Sequence, residues 1–140
     1  MTEQTLVIIK PDGVKRNLIG EVIRRFEKKE LKVVGMKLLS MNKSRAEDFY
    51  QVHQGKPFYQ DLCNFMSSGP VVVMALAGEG AIEKARGIMG ATNPEEADPG
   101  TVRRDLALGH TENTVHGSDS SETARFEIDF FFNQDEIVEV

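Results

Sequence analysis

Thr5-Leu-Val-Ile-Ile9, followed at once by Lys10-Pro11-Asp12-Gly13, decides the reading of the fold. The run is short, continuous and apolar, and it predicts a central strand buried on both faces. Lys10-Pro11-Asp12-Gly13 ends it. Beyond that end, Ile19, Val22, Ile23 and Phe26 recur at the i, i+3, i+4, i+7 spacing of an amphipathic helix, with Arg24, Arg25, Lys28 and Lys29 on the other face. A strand feeding a helix is the first unit of the chain.

The same two periods alternate to the end. Residues 32–40 predict a second strand, and Ala46, Phe49, Tyr50 and His53 repeat the helical spacing behind an Asn42 cap. A further helix starts near Pro57, with Phe58, Leu62, Phe65 and Met66 on its core stripe, and stops at Gly69-Pro70. Val71-Val-Val-Met-Ala75 is a third buried strand, Gly78 and Gly80 turn the chain, and residues 81–89 return to helix. Residues 90–101 hold two prolines and two glycines and read as a long loop, of a length that is often functional. After a short stretch at 102–108 come a strand around His116 and a last helix through Phe126. That helix is opened by Asp119 and Glu122 in the form of a capping box, and Phe130 to Phe132 pack back on the body. The order predicts an α+β fold, a ferredoxin-like βαββαβ sandwich with a four-stranded antiparallel sheet covered by helices. No repeats, low-complexity tracts or linkers divide the chain, so residues 1–140 are read as one domain.

Composition narrows the partners. Apolar residues make up 40% and charged residues 28%, ordinary for a globular protein, while a net charge of −5 argues against a general nucleic-acid or membrane-surface role. A polyanionic ligand must then be met by a local cationic pocket. One cysteine, Cys63, excludes an internal disulfide, and the polar start Met-Thr-Glu-Gln-Thr has no apolar leader, so cytoplasmic residence is expected. No apolar run approaches the roughly 20 residues of a spanning helix.

His116 is the most informative residue. It lies in Asn113-Thr-Val-His-Gly-Ser118-Asp119, just before a helix N-terminus, where backbone N–H groups favour anions. His53, His110 and His116 share no metal-ligand spacing, and no Gly-x-x-x-x-Gly-Lys-Ser/Thr loop exists. Taken singly, Lys10, Arg86 and Arg103 read as solvated cations, Phe58 and Tyr50 as core, Thr92 and Asn113 as loop residues, Glu127 as a solvated acid and Ser118 as part of a helix cap. Lys10 stands apart because it ends a buried strand, where polar groups of α/β-type sites gather.

Together these residues carry more. Lys10-Pro11-Asp12-Gly13-Val14, Gly55-Lys-Pro-Phe58, Ser68-Gly-Pro70, Gly90-Ala-Thr-Asn-Pro94 and His116-Gly-Ser-Asp-Ser120 stand in the order and spacing of the nucleoside diphosphate kinase family, which the chain resembles over essentially its whole length. The resemblance implies that His116 takes the γ-phosphoryl of a nucleoside triphosphate on Nδ1 and returns it to a nucleoside diphosphate at the same site, by ping-pong turnover. Glu127 matches the acid that accepts the Nε2 proton, and Ser118 the serine that holds that acid. Lys10, Arg86, Arg103 and Thr92 match the phosphate ligands, and Tyr50 the tyrosine near the γ-phosphate. Lys10 and Asn113 match the ribose ligands, and Phe58 the aromatic on which any base stacks. Mg²⁺ is implied on the phosphates, with no direct protein ligand and Asp119 its nearest contact through water. ATP and other nucleoside di- and triphosphates are the implied partners of a cytoplasmic homo-oligomer, tetramer or hexamer.

The chain departs from the family pattern at His110, where relatives place an aliphatic residue on the other face of the base, and at Arg104, where a small residue often follows the arginine. Its end near Val140 suggests a short, bacterial-type member. Two rival readings are a nucleotide- or RNA-binding module on the same plan and a catalytically idle family member serving as a scaffold. The acidic pI near 5.2 counts against the first and the filled site positions count against the second.

Overall fold

A computed structural model describes residues 2–109 and 111–140, so the reading of His110 lies outside the described residues. Strand β1, Thr2–Ile9, is flanked by β3, Val71–Glu79, and by β4, Val115–Gly117; β2, Lys32–Leu39, lies outside β3. The sheet order is β2-β3-β1-β4 and every pairing is antiparallel. The expected four-stranded antiparallel sheet is therefore present, and β1 is buried from Thr5 to Ile9 because it is central.

Both faces of the sheet are covered, which is why β1 and β3 read as unbroken apolar runs rather than alternating ones. Val7 and Ile9 point toward helices α2, Ile19–Lys28, and α5, Ala81–Met89, where Val22, Phe26, Ala85 and Met89 are buried with Val102 and Val115. These two helices are the crossovers of the βαββαβ plan. Leu6 and Ile8 point the other way, toward α3, Lys43–Phe49, α4, Tyr59–Met66, and α7, Ser121–Phe131. Along β4 the alternation is short but decisive: Val115 packs on the α2/α5 side, and His116, opposite Ile8 in the register, faces the side of Phe49 and Tyr50.

Five local expectations change. Lys10-Pro11-Asp12-Gly13 does not simply turn: Pro11 takes the first position of a short helix α1, Pro11–Lys15, where its missing N–H is of no consequence, and Lys10 O accepts from the Gly13 and Val14 amides at 3.0 and 3.1 Å. Helix α4 begins at Tyr59, so Phe58 becomes its cap residue and leaves the core stripe to Tyr59, Cys63 and Met66. Strand β3 continues through Gly78, and the turn is made at Gly80 in the left-handed region. Helix α7 is capped by Ser120, whose extended backbone lets its hydroxyl accept from Thr123 N at 3.1 Å, so Asp119 stays outside the cap. The helix runs on to Phe131 and takes in Phe130. The 102–108 stretch holds α6, Val102–Leu106, capped by Thr101. Asn42 caps α3 as expected, accepting from Arg45 N at 2.8 Å.

Candidate active site

At the β4 end of the sheet, His116 is partly open, and its Nε2 lies 2.9 Å from Glu127 Oε1 on α7. Glu127 is buried, and the same oxygen accepts from the Ser118 hydroxyl at 2.7 Å. Ser118 is itself fixed against β1, its amide donating to Leu6 O at 3.1 Å and its Oγ accepting from Leu6 N at 3.3 Å. A carboxylate accepts only, so Nε2 carries the proton and the lone pair is left on Nδ1. Two rings meet the imidazole edge-on, Phe49 at 5.4 Å and Tyr50 at 5.8 Å between centroids, and restrict its rotation.

The cations expected to be solvated are not alike. Lys10 is 6% exposed; its Nζ donates to Asn113 Oδ1 at 2.8 Å, and Asn113 Nδ2 donates to Thr92 O at 3.3 Å. Burial first, then the Arg103 charge, pulls the Lys10 ammonium down to about 7, with Asp12 opposing. Arg103 is equally buried on α6, donating to Gly90 O at 3.0 Å and Val115 O at 2.8 Å. Gly90, at φ +87°, allows that turn, since a Cβ there would stand 2.5 Å from Thr101 Oγ1. Burial and then Arg86 bring Arg103 down to about 10. The Arg103 Nε and the Tyr50 hydroxyl, both buried, have no hydrogen-bond partner among the described residues. Two unpaired donors and a deprotonation-prone ammonium suit an anionic ligand that supplies acceptors. Burial, followed by the Glu127 charge, holds the Tyr50 phenol well above its ordinary range, so it is a neutral donor.

Arg86 and Thr92 are exposed, on α5 and at the start of the 90–101 loop. Phe58 is 46% exposed, against the core placement its spacing suggested. It meets His53 edge-on at 5.2 Å; His53 stacks on Tyr50 at 6.2 Å, and Tyr50 meets His116. An aromatic series thus leads from the exposed Phe58 ring to His116. Phe49 and His53, read in the sequence only as helix-stripe residues, pack on the His116 and Tyr50 rings; nothing in helical spacing distinguishes a ring that packs on a part-exposed imidazole from one that fills a core. Arg104 donates to Glu95 O at 3.0 Å and Ala97 O at 3.4 Å, tying down the loop after Thr92 while its charge stays exposed. Asp119 is exposed at the foot of α7, and among the described residues no group of three or more His, Cys, Asp or Glu side chains is placed to hold a metal ion. A cation that arrives already ligated by phosphate oxygens needs no such group, and a solvated carboxylate fits contact through water. No helix among the described residues is long and apolar enough to cross a membrane.

The family model described as nucleoside diphosphate kinase matches residues 3–137. A nucleoside diphosphate kinase of Desulfosudis oleivorans is 57% identical over 136 residues, covering 97% of this chain and 98% of that protein. One from Campylobacter jejuni is 55% identical over 135 residues, covering 96% and 98%. Among solved structures, the Aquifex aeolicus nucleoside diphosphate kinase superposes with a TM-score of 0.96 at 40% identity, covering 99% of this chain and all of that one. The Halobacterium salinarum enzyme in complex with CDP gives 0.96 at 41% identity, covering 100% and 93%.

Proposed function

The chain belongs to the nucleoside diphosphate kinase family and is an enzyme of phosphoryl transfer between nucleotides, and from that premise we propose that it works by ping-pong exchange through a phosphohistidine on His116. The observation that carries this reading is the Ser118–Glu127–His116 series, 2.7 and 2.9 Å, which engages Nε2 and leaves Nδ1 nucleophilic. Imidazole suits this chemistry, because it is neutral and nucleophilic near pH 7 and forms a phosphoramidate energetic enough to pass its group onward. As Nδ1 attacks the γ-phosphorus, the bond to the bridging oxygen breaks and the nucleoside diphosphate leaves. The second half-reaction reverses these steps with another acceptor.

In this reading Lys10, Arg86, Arg103 and Thr92 hold the phosphates and Tyr50 donates near the γ-phosphate. Lys10 and Asn113 bind the ribose, and Ser118 and Glu127 position the imidazole. Mg²⁺ supplies charge neutralisation on the phosphates when bound, with Asp119 its contact through water. His110 completes the base site in the same reading. Phe58 presents a ring face, which any base can stack on, so broad base acceptance follows. Residues 1–140 act as one domain. Met36 and Leu38, exposed on the edge strand β2, support a homo-oligomer, in this reading a tetramer or hexamer; cytoplasmic residence and the lack of nucleic-acid or membrane partners rest on the family resemblance and the net charge of −5.

The test is direct. Incubation with γ-labelled ATP and Mg²⁺ without acceptor is expected to place about one phosphoryl group per chain on His116, by the logic of a covalent intermediate. The label is lost in acid, kept in base, and discharged by GDP into GTP. Acid-stable label on Ser118 or Ser120, or ATP-to-GDP exchange with no labelled chain, rejects the mechanism.

Two further outcomes test the binding roles. Phe58→Ala is expected to weaken purine and pyrimidine nucleotides alike by about 1 kcal/mol, the lower end for one base stack because the ring is half open; loss for one base alone removes stacking as its role. For Lys10 the sign follows from its lowered pKa. Above pH about 7 the free amine is largely neutral, and an arriving phosphate restores the ammonium, so nucleotide binding takes up a proton there and weakens as pH rises. Calorimetry of ADP binding at pH 8 in buffers of different ionisation enthalpy reads that uptake. Its absence, or affinity that rises with pH, contradicts the assignment.

A further inference from the structure

Thr114 is branched at Cβ yet sits at φ +74°, a left-handed conformation that such residues rarely adopt. The Val115 amide donates across it to Asn113 O at 2.8 Å, closing a three-residue turn of the strained, positive-φ kind. This turn stands between Asn113, bonded to Lys10, and His116. Strain of this sort persists only where the surroundings over-determine it. Here three contacts do so. The Thr114 hydroxyl donates to Asp12 Oδ2 at 3.0 Å, and its carbonyl accepts from Lys10 N at 2.8 Å. Its Cγ2 lies 3.1 Å from where a Cβ on residue 13 would stand, so Gly13 is what lets α1 approach. Thr114 is wholly buried and Asp12 nearly so, and the second Asp12 oxygen, Oδ1, has no partner among the described residues.

We propose that Asp12 is a positioning residue for phosphoryl transfer: by holding the Thr114 hydroxyl it keeps residue 114 left-handed, and that turn aims His116 while setting Asn113 against Lys10. The inference rests on the reading of His116 as the phosphoryl acceptor. Without the Asp12 contact, residue 114 relaxes toward negative φ and the peptide between 114 and 115 rotates. The Val115 carbonyl then swings away from Arg103, and the imidazole shifts relative to Glu127. A buried carboxylate beside Lys10 has an obvious alternative use, as a charge that favours the ammonium. The two roles separate by substitution, because one needs an acceptor for Thr114 and the other needs a negative charge.

The experiment is a set of cycles in the full chain, reading the burst rate of His116 phosphorylation by ATP, the nucleotide KM, and the His116 ring signals by NMR. Asp12→Ala and Thr114→Val are each expected to slow phosphorylation by about tenfold or more, the size that release of such a strained residue implies. Asp12→Asn, which keeps an acceptor and drops the charge, stays within about threefold of the unaltered chain. Glycine adopts the left-handed backbone without strain. In a Thr114→Gly background, Asp12→Ala therefore costs no more than about threefold, a coupling that independent sites do not show. The His116 ring signals move in Asp12→Ala and return in the Asp12→Ala/Thr114→Gly protein, which a general loss of stability does not produce. The proposal is overturned if Asp12→Asn is as slow as Asp12→Ala while Thr114→Val is silent, since Asp12 then acts through charge on Lys10. It is equally overturned if the Asp12→Ala and Thr114→Gly effects simply add, or if the ring signals stay put in Asp12→Ala. Failure of the unaltered chain to take label counts against the proposed function instead, and the NMR cycle, which needs no turnover, still decides this one.

Discussion

His116→Ala is expected to abolish nucleotide exchange, lowering turnover by about 10⁴-fold or more on the scale set by removal of catalytic nucleophiles elsewhere, while the protein stays folded and still binds ADP. The physical reason is a separation of roles. His116 packs edge-on against Phe49 and Tyr50 but lies in neither buried cluster, so its loss removes the nucleophile without opening the core. The described residues assigned to phosphate, ribose and base lie just before α1, on α5 and α6, in the 90–101 loop, at Asn113 and at the cap of α4, and the hydrogen bonds described for them do not involve the imidazole. Coupled-enzyme turnover with ATP and GDP, together with ADP calorimetry, measures both halves. Exchange at near-normal rate rejects His116 as the acceptor.

Glu127→Gln carries the second large effect. The amide is nearly isosteric and keeps an oxygen for the Nε2 proton, but it removes the charge that opposes the positive imidazole as the phosphoryl arrives. It also gives Ser118 and His116 a partner that can present its NH₂ instead. Phosphorylation measured by rapid quench is expected to slow by about 10- to 100-fold, the range typical when the hydrogen-bond partner that orients a functional histidine is lost. Nucleotide affinity is expected to change little, because the side chains hydrogen-bonded to Glu127 among the described residues are His116 and Ser118, neither assigned to nucleotide binding. Unaltered phosphorylation would reduce Glu127 to a buried helix residue paired for structural reasons alone.

Much of this was legible in the chain. The Thr5 to Ile9 run announced a strand covered on both faces, and the alternation of two periods gave the sheet and its crossovers, because both signals come from local geometry. Motifs such as His116-Gly-Ser-Asp brought His116, Lys10, Arg103 and Phe58 together when spacing alone could not. What failed had local causes as well. Phe58 fits a core stripe, but α4 begins at Tyr59 rather than near Pro57, which leaves Phe58 as an exposed cap residue. Lys10 and Arg103 look solvated by type, and only tertiary acceptors, Asn113 Oδ1 for one and the Gly90 and Val115 carbonyls for the other, make their burial tolerable. Asp119 has the spacing of a capping box, but the Ser120 hydroxyl is one residue closer to the amides that need it. The Asp12–Thr114 contact was not legible at all: the partners are 102 residues apart, and a threonine gives no sign in sequence that its φ is positive.

The three-residue strand β4 makes the chain unequally tolerant of changes in length. Its side chains alternate between two faces, so a single residue gained or lost between Thr114 and His116 exchanges the positions of Val115 and the imidazole. The ring would then point at Met89 and Val102, and Glu127 would be left buried with only Ser118. No compensating substitution nearby restores the parity. The stretch between Pro94 and Gly100 largely faces water and carries no such alternation, so it absorbs added residues at small entropic cost. Among homologues of unequal length, insertions and deletions are accordingly expected to accumulate there and to spare residues 114–118, whatever happens to the identities of the residues on either side.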